Sequence, residues 1–366
     1  MKICIIANAL AVHTQRWAEV FAQRGHEVHL LSIRRCEIPG VKSHAVHIGP
    51  ANTGSVFLIF LSYFFLLITA WYHIRKIKPD IVDAHFVLTH GVIAACANYH
   101  PLVITAWGSD VIWHRSREMP WYRKCFLSYA LKRADLVCAA SKFLIRQLIP
   151  FTPPGKRIQQ NPFGVDCRLF RPSDNPDAVG EKREFRIGFI KTLYPIYGPD
   201  VLIKSLPVVI EKIPNARLIM IGRNRMGDKL YNLVESLSLT DKVTFTGFIT
   251  NELLPEYIST FDVVVNPSIC RESFGVTVLE ASACEVPVVA SKTGGLTEVC
   301  LDNQTGILVN PNEPEDLAHA IIHLAQNPSL RKTMGQVGRK MVLEKYNWEE
   351  TVEEKLVLFK RLIHND

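Results

Sequence analysis

The sequence predicts an α/β protein built from two doubly wound parallel sheets, and three observations predict it. The chain has 366 residues, which exceeds the usual size of a single hydrophobic core. Apolar residues make up 48% of the chain, enough to fill two cores. Short apolar runs alternate with amphipathic stretches in both halves of the chain. Strands that alternate with helices in this way indicate parallel sheets covered on both faces.

The first half of the chain contains five predicted strands. Gln15–Arg24 is predicted to form the first helix, which Gly25 ends. Val56–Tyr72 is predicted to form the helix that crosses from the second strand to the third. The predicted strands are Lys2–Ala7, Glu27–Ser32, Asp80–His85, Leu102–Thr105 and Asp135–Ala139.

A polar stretch rich in Pro, Asp and Gly separates the two halves. We predict a linker at 171–183, between a first domain at 1–170 and a second at 184–345. Residues 346–366 are predicted to form an amphipathic helix that packs back towards the first domain. The two Rossmann-like domains are expected to face each other across a cleft, with ligands at the carboxyl ends of the strands. The predicted strands of the second half are Phe185–Ile190, Ala216–Ile221, Val243–Phe245, Asp262–Val265 and Val286–Ala290.

Two glutamates lie eight positions apart around the start of a predicted helix at Gly275. This helix should end near Glu285, because Pro287 cannot continue it. A helix start presents unpaired N–H groups and a positive dipole end to an anion. A carboxylate at Glu280 can accept hydrogen bonds from two sugar hydroxyls. The spacing is typical of a nucleotide-sugar site; an amphipathic helix with Glu272 and Glu280 facing solvent is the alternative.

The net charge of +7 is unevenly distributed. Residues 1–170 carry 20 Lys and Arg against 9 Asp and Glu, whereas residues 171–366 carry 22 against 26. A basic half can meet nucleic acid, anionic lipid or an anionic substrate. No nucleic-acid-binding motif is present, so we expect no nucleic-acid partner and favour a membrane surface.

One apolar segment supports the membrane interpretation. Val56–Tyr72 contains seventeen residues without a charge, and Arg75, Lys76 and Lys78 follow it. Three interpretations stay open: a buried crossover helix, an interfacial helix that docks on a membrane, and a membrane-spanning helix. Aromatic residues and trailing lysines suit docking. Spanning would remove a strand connection from the sheet.

Cysteine and acidic-residue spacing indicate neither disulfides nor metal. The nine cysteines form no Cys-x-x-Cys pair, which is typical of reduced, buried thiols in a cytosolic protein.

The apolar stretch at the N-terminus is too short for a signal peptide and is predicted to form the first strand. No Asp-x-Asp pair or cluster of metal-ligand side chains is present, so we predict no metal and no cofactor.

Several motifs together resemble one enzyme family along essentially the whole chain. These are Glu272–Cys284, Gly294–Glu298, Gly306–Pro311, Asp316–Ile321, Asn161–Asp166, Gly198–Leu202 and Thr246–Phe248. The combination resembles the retaining family-four glycosyltransferases of the two-Rossmann-domain (GT-B) architecture. That resemblance implies a nucleotide-sugar donor, linked to UDP or GDP, and transfer with retention at the sugar carbon.

The resemblance implies roles for named residues. Glu280 matches the acid that holds the donor ribose, and Glu272 the acid that faces the donor sugar and the reacting centre. The remaining donor-binding positions are Gly275, Val276 and Thr277 at the diphosphate, Gly247 and Phe248 near the base, and the cations Lys191 and Arg223. His85 matches a histidine near the acceptor, and Asp110 is a further catalytic candidate. His13, Arg16 and Trp107 are the acceptor-side candidates.

The residues themselves also allow structural roles. Lys191 can be a surface lysine, His85 a satisfied core histidine, and Trp107 a packing residue. Asp110 can be an N-cap for a helix at Val111–Arg117, with Ser109 competing for that role. His13 and Arg16 can cap the first helix. Each of these alternatives stays open at this point.

The chain departs from the family pattern at four named positions. Trp107 occupies the position of a family histidine. In the phosphate clamp, Thr192 stands for an arginine and Tyr197 for a lysine, which leaves Lys191 as the best cation. Glu285 replaces a glycine.

The leading hypothesis is a metal-independent glycosyltransferase, peripheral on the cytoplasmic face of the membrane, with a lipid-linked or polysaccharide acceptor. A nucleotide-sugar epimerase on the same architecture is the first alternative. A non-catalytic sugar-nucleotide-binding or membrane scaffold protein is the second, suggested by the altered clamp.

Overall fold

The computed structural model describes residues 1–45, 56–113, 119–173 and 184–364. They form two compact units, one of Met1–Asn161 with Val352–Asp366 and the other of Pro162–Thr351. Most of the predicted linker, 174–183, lies outside the described residues. Residues 114–118, most of the helix proposed to follow Asp110, also lie outside them, and the preceding residues 111–113 are not helical.

The first unit contains a parallel sheet of seven strands in the order β3-β2-β1-β4-β5-β6-β7. Its strands are β1 (Lys2–Ile6), β2 (Glu27–Ser32), β3 (Val41–Ala45), β4 (Ile81–His85), β5 (Leu102–Ala106), β6 (Leu136–Ala139) and β7 (Ile158–Gln160). The helices between them are α1 (Val12–Gln23), α2 (Val56–Ile77), α3 (Val92–Ala97), α4 (Trp121–Arg133) and α5 (Lys142–Leu148). A π-helical turn at Phe86–Gly91 joins β4 to α3, and a 3₁₀ turn at Ile149–Phe151 follows α5.

The second unit contains a parallel sheet of six strands in the order β10-β9-β8-β11-β12-β13. Its strands are β8 (Phe185–Ile190), β9 (Ala216–Ile221), β10 (Val243–Gly247), β11 (Val263–Asn266), β12 (Val288–Ser291) and β13 (Gly306–Val309). A 3₁₀ turn at Pro195–Tyr197 precedes its first helix. The helices that follow in this unit are α6 (Pro199–Lys212), α7 (Lys229–Ser236), α8 (Leu254–Ile258), α9 (Val276–Ala283), α10 (Leu296–Val299), α11 (Pro314–Gln326) and α12 (Pro328–Lys345). The last helix, α13 (Trp348–His364), belongs to the first unit from Val352 onwards.

These two sheets confirm the predicted fold class. All ten predicted strands are present, with ends displaced by at most a few residues. Three strands were missed: β3, β7 and β13. All three are edge strands. β3 and β7 contain few apolar residues and so lack the pattern of a buried strand, and β13 is only half-buried in its middle.

In each sheet the strand order reverses at one position, called the switch point. The chain runs outwards from β1 through β2 to β3 and then returns to β4 on the other side of β1. In the second unit it runs outwards from β8 through β9 to β10 and returns to β11 beside β8. Loops diverge where the order reverses, so the carboxyl ends of these strand pairs form crevices where ligands bind in open α/β sheets.

Helix α2 packs on its sheet along one face. Leu66, Ala70 and Ile74, spaced by four residues, are fully buried. Large apolar side chains on the remaining surface are exposed: Phe64, Phe65, Ile68, Trp71 and Tyr72. Among the residues whose side chains are described, no helix is both long and apolar enough to cross a membrane.

The expectation of buried thiols is only partly right. All nine cysteines are free, as predicted. Four are buried, namely Cys4, Cys138, Cys284 and Cys300, whereas Cys96 and Cys125 are exposed and the other three are half-buried. The exposed pair lies near the ends of helices or on their outer faces, where an apolar neighbour in sequence does not imply burial.

Candidate active site

The switch point of the first unit carries a fully buried network of polar side chains. Asp83 and His85 are the third and last residues of β4, and Thr105 lies on the neighbouring strand β5. Lys355, from α13, donates to Asp83 Oδ2 at 2.8 Å and to Thr105 Oγ1 at 2.8 Å. The Thr105 hydroxyl donates to Asp83 Oδ1 at 2.9 Å. Both oxygens of the carboxylate are thus satisfied inside the protein.

This network fixes the protonation state of His85. Nε2 of His85 lies 3.3 Å from Asp83 Oδ2, and a carboxylate only accepts, so Nε2 carries the hydrogen. Nδ1 is then an acceptor, and it is buried without a hydrogen-bond partner among the described residues. Burial lowers the pKa of His85 and outweighs the Asp83 carboxylate, which acts to raise it. Burial would raise the pKa of Asp83, but Lys355 and His85 together hold it well below its usual range.

Contacts through the Trp107 ring connect His85 to His13, in the first turn of α1. The His13 ring stacks on Trp107 with centroids 5.1 Å apart and an interplanar angle of 12°. Trp107 meets His85 edge-on at 5.4 Å. Burial, followed by the charge of Arg16 and by His85, lowers the pKa of His13 to about 4. The acceptor-side candidates thus lie together, and Trp107 contacts two histidines from the position of the family histidine.

Asp110 is a buried carboxylate whose partners are backbone groups. Its oxygens accept from the N–H of Val87 at 2.5 Å and from that of Gly108 at 2.9 Å. Burial raises its pKa and outweighs these hydrogen bonds, which act to lower it. Asp110 therefore ties the loop after β5 to the π-helical turn after β4.

The switch point of the second unit carries an ion pair. Lys191, directly after β8, pairs with Glu272 from the loop between β11 and α9. The Ser268 hydroxyl also donates to Glu272. The side chains of Lys191 and Glu272 are only 17% and 11% exposed, so solvent screens this pair weakly. Lys191 is consequently not an isolated surface lysine.

The ring of Tyr197 packs against the ammonium of Lys191. The ammonium of Lys191 lies 4.5 Å from the centroid of the Tyr197 ring, within range of a cation–π contact. Burial, and after it the charge of Glu272, raises the pKa of the Tyr197 hydroxyl. Tyr197, at the position where the family has a lysine, therefore adds no positive charge of its own. Instead its ring contacts the ammonium of Lys191.

Two glycines let backbone segments approach this pair closely. A Cβ at Gly222, where φ is +149°, would lie 1.9 Å from the carbonyl oxygen of Lys191. A Cβ at Gly294 would lie 2.2 Å from the carbonyl oxygen of Glu272. The N–H of Gly295 donates to that same oxygen at 2.7 Å. Larger residues at either glycine would displace the backbone that carries the ion pair.

Helix α9 begins beside this loop as the sequence predicts. Gly275 is its N-cap with φ of +118°, and as a glycine it has no side chain to cap the N–H groups of the first turn, which includes Val276 and Thr277. Glu280 is buried in the middle of the helix. A buried glutamate excludes the alternative in which Glu280 simply faces solvent.

The base-side candidates lie at the end of β10. Gly247 ends that strand with φ of +75°, and the exposed ring of Phe248 follows it. The guanidinium of Arg223 lies 5.0 Å from the centroid of the Phe248 ring. Arg223 therefore contacts Phe248 but does not join the Lys191–Glu272 pair.

Sequence reasoning missed four residues of these clusters: Asp83, Thr105, Ser268 and Lys355. One signal was available for Lys355. In the predicted amphipathic helix it aligns with Val352 and Phe359 on the apolar face, where a lysine requires a buried partner. Among the described residues, no group of three His, Cys, Asp or Glu side chains is placed to hold a metal ion.

Two family models match the chain. "Glycosyl transferase 4-like" matches residues 2–141, and "Glycosyl transferases group 1" matches residues 173–341. An uncharacterized glycosyltransferase of Methanocaldococcus jannaschii is 34% identical, over 97% of this chain and 95% of the relative. A GDP-mannose-dependent α-(1-6)-phosphatidylinositol monomannoside mannosyltransferase of Mycolicibacterium smegmatis is 30% identical, over 70% of this chain and 69% of the relative.

Solved structures share the fold. Sucrose-phosphate synthase of Thermosynechococcus elongatus superimposes with a TM-score of 0.87 at 21% identity, over the whole of both chains. The Anabaena protein HepE, in complex with UDP and glucose, superimposes with a TM-score of 0.78 at 21% identity, over 99% of this chain and 100% of that one. The fold, the matched family models and the long relative agree: the chain belongs to the group 1, family-4-like glycosyltransferases of the GT-B architecture and is an enzyme of that class.

Proposed function

We propose that this enzyme is a retaining, metal-independent glycosyltransferase that moves a hexose from a nucleotide-diphosphate donor to a lipid-linked or polysaccharide acceptor. The observation that carries the proposal is the Lys191–Glu272 pair at the carboxyl ends of β8 and β11, beside the start of α9. The ammonium of Lys191, the N-terminus of α9 and the carboxylate of Glu272 lie where the strand order reverses. The cation and the helix N-terminus can bind a diphosphate, and the carboxylate can accept hydrogen bonds from the adjoining sugar.

In the proposed reaction the diphosphate competes with Glu272 for Lys191. The bond from the anomeric carbon to the phosphate oxygen breaks, and negative charge develops on the leaving group. Lys191 and the N–H groups at the start of α9 oppose that charge without rearranging. Glu272, released from the ammonium, is then free to face the donor sugar. Glu280 holds the ribose, and Gly247, Phe248 and Arg223 lie on the side of the base.

Retention follows if the acceptor attacks from the face that the diphosphate leaves. The acceptor oxygen then bonds to the anomeric carbon, and its proton passes to the departing phosphate oxygen. Trp107, His13 and His85 form the acceptor side in this proposal. In this proposal His85 is neutral and fully buried, and it positions the ring of Trp107, which it meets edge-on.

Two observations support an acceptor at a membrane surface, which we propose to be the cytoplasmic face. The first is the exposed apolar face of α2, followed by Arg75 and Lys76. The second is the name of the mycobacterial relative, whose acceptor is a phosphatidylinositol mannoside. The role we infer is therefore the synthesis of a cell-envelope glycolipid or polysaccharide by an enzyme bound peripherally to the membrane.

The donor nucleotide is tested directly by thermal shift. The relative from M. smegmatis is named as GDP-mannose-dependent, whereas HepE was solved with UDP. The purified chain should be stabilised by one of the two nucleotides and by its sugar conjugates, because a ligand that binds only the folded state raises the melting temperature. The stabilising donor, radiolabelled in its sugar, is then incubated with a membrane lipid extract in the presence of EDTA.

We expect label in the lipid fraction, turnover unaffected by EDTA, and an α-linkage if the donor is α-linked. Glu272→Gln and Lys191→Ala should each lower turnover at least tenfold, whereas Lys292→Ala, a change at an exposed lysine of the same unit, should leave it within twofold. Conversion of the donor without any acceptor would instead identify an epimerase. Donor binding without turnover of any kind would identify a non-catalytic protein.

A further inference from the structure

A cavity beside α4 in the first unit has no role in the chemistry described above. Its volume is about 360 Å³. Its walls come from the π-helical turn after β4, the loop after β5 and the start of α4. Asp110, which lines it, ties the first two of these segments together, so the walls are fixed relative to β4.

The π-helical turn is itself an unusual structure at this position. Phe86, which lines the cavity, has φ of +70°, a conformation that costs a side chain of this size about 1–3 kcal/mol. Single π-turns inserted before an α-helix are frequent at functional sites. Phe86, Leu88 and Thr89 line the cavity, so the turn forms one of its walls.

One cation lines the cavity and is held rigidly. The guanidinium of Arg123 lies 5.1 Å from the centroid of the Trp113 ring. Its Nε is buried and has no hydrogen-bond partner within the described part of the chain. Because this N–H is buried, an anion that reaches it would supply a charge-assisted hydrogen-bond acceptor. Thr89 and Ser109 add hydroxyl groups to the same lining.

Asp110, the acid among the residues that line this cavity, makes its hydrogen bonds to backbone groups. The Asp110 oxygens accept from the backbone of Val87 and Gly108, and burial raises the pKa of its carboxyl. Along α4 itself, the sequence Trp121–Arg133 contains four basic residues and no acidic one. The local field on this side of the cavity is therefore positive.

An exposed aromatic stripe leads out of the cavity along α4. Tyr122 and Phe126 line the cavity, and Tyr129 continues in line with them one turn further along the helix. Phe126 is 51% exposed and Tyr129 41% exposed. An apolar chain that left the cavity would find a continuous surface there, whereas a free phosphate would leave this stripe unused.

We propose that this cavity binds the phosphate of an anionic amphiphile through Arg123, with the alkyl chain lying along Tyr122, Phe126 and Tyr129. This proposal rests on the proposed function in that it assigns the anionic amphiphile as the lipid-linked acceptor. The cavity lies in the same unit as His85, on the turn that follows it directly. A phosphate at Arg123 would therefore fix the polar end of the acceptor close to the acceptor-side residues.

Binding is tested with octyl phosphate below its critical micelle concentration, titrated into the full-length chain by isothermal calorimetry. Octyltrimethylammonium, with the same chain and the opposite charge, and inorganic phosphate, with no chain, are the two comparison ligands. We expect saturable binding of octyl phosphate, no binding of the cationic analogue, and at least tenfold weaker binding of inorganic phosphate.

The site is tested with substitutions on one helix. Arg123→Gln and Phe126→Ser should each weaken octyl phosphate at least fivefold, whereas Lys132→Gln, the same charge change at an exposed residue outside the cavity, should change it less than twofold. Phe126 is exposed, so its substitution does not threaten folding. Equal weakening by Lys132→Gln and Arg123→Gln, or equal binding of inorganic phosphate, would overturn the proposal.

Thermal shift with UDP- and GDP-sugars separates this proposal from the proposed transfer. Donor stabilisation without octyl phosphate binding would overturn the cavity assignment alone. Octyl phosphate binding with the expected variant pattern, but without donor stabilisation, would support the cavity and remove the proposed donor site, and with it the assignment of the amphiphile as the acceptor.

Discussion

Lys355 Nζ lies 2.8 Å from Asp83 Oδ2, and both side chains are completely buried. The two residues are 272 positions apart, and they join α13 to the central strands of the first sheet. Because Asp83 also holds His85, this ion pair couples the C-terminal helix to the acceptor-side histidine. Trp17 and Phe359 cover the ammonium, with ring centroids 4.7 and 5.7 Å away.

Breaking this pair from one side should destabilise the protein strongly. Lys355→Met leaves the Asp83 carboxylate buried without its counter-charge, and we expect a loss of about 3–5 kcal/mol in the free energy of unfolding. Lys355→Met combined with Asp83→Asn should recover part of that loss, because no charge is then left buried. Urea denaturation of the single and double variants measures both effects.

Lys360→Met is the matched control for the Lys355→Met variant. Lys360 is exposed on the same helix, so its substitution should change the free energy of unfolding by less than about 0.5 kcal/mol. If the double variant lost as much unfolding free energy as the Lys355→Met and Asp83→Asn single variants lose together, the two residues would not be coupled.

Buried histidines should make the protein sensitive to mild acid. Burial lowers the pKa of His90 to about 4, although its hydrogen bond to the carbonyl of His85 acts to raise it. An unfolded histidine has a pKa of about 6.5, so the unfolded state binds more protons as the pH falls from about 6.5 towards 4. Stability is complete above that range and is lost within it, by up to roughly 3 kcal/mol for this residue.

The pH dependence of urea unfolding measures this effect. His90→Asn should lower the slope of the unfolding free energy between pH 4.5 and 6 by about one proton, or about 1.4 kcal/mol per pH unit. His364→Asn, at an exposed histidine, should leave the slope unchanged. An unchanged slope in His90→Asn would show that His90 does not titrate as the structure implies.

Tyr197 should matter through its ring and not through its hydroxyl. Tyr197→Phe keeps the surface on which the Lys191 ammonium lies, and we expect the KM for the donor to change less than twofold. Tyr197→Leu removes the π-face, and a cation–π contact of about 1–2 kcal/mol predicts a rise in KM of roughly fivefold to thirtyfold. Steady-state kinetics with the donor found by thermal shift measure both values. Equal effects of the two substitutions would assign the role to the hydroxyl.

The exposed face of α2 should bind anionic membranes. Joint substitution of Phe64, Phe65 and Ile68 by Ser removes three exposed apolar side chains. Since each contributes on the order of 1 kcal/mol when buried at a membrane, we expect at least tenfold weaker partitioning to phosphatidylglycerol vesicles in flotation.

A matched triple variant controls for the loss of apolar surface as such. Val337, Leu343 and Val357 are also large, apolar and exposed, but lie on α12 and α13. Their joint substitution by Ser should leave partitioning within twofold. If both triple variants float equally well, α2 is not the docking element.

Replacing Glu285 with glycine should increase the stability of the protein. It follows α9 with φ of +61°, in the left-handed region, at a position where the resembling family has glycine. Glu285→Gly relieves about 1 kcal/mol of strain that Glu285→Ala retains. Both substitutions remove the carboxylate that lies 3.9 Å from Arg339, so comparing their thermal unfolding isolates the backbone term. Equal stability of the two variants would show that this position is not strained.

The local pattern of the sequence predicted the two sheets and the position of helix α9, because both depend on neighbours along the chain. Period-two and period-3.6 burial, together with turn residues such as Gly275 and Pro287, place strands and helices without knowledge of their partners. The family was also readable from the sequence. The short edge strands β3 and β7 were not, because their polar composition carries no burial signal.

Tertiary structure alone decided which side chains meet. Lys191 and Glu272 are 81 residues apart, and Lys355 and Thr105 are 250 apart, so no local pattern connects them. Strand order brings the first pair together by placing β8 beside β11, and the packing of α13 brings the second. The sequence by itself determined the elements and the class of enzyme. Burial and long-range pairing, which depend on how the elements pack, decided the charge state of His85 and the partner of Lys191.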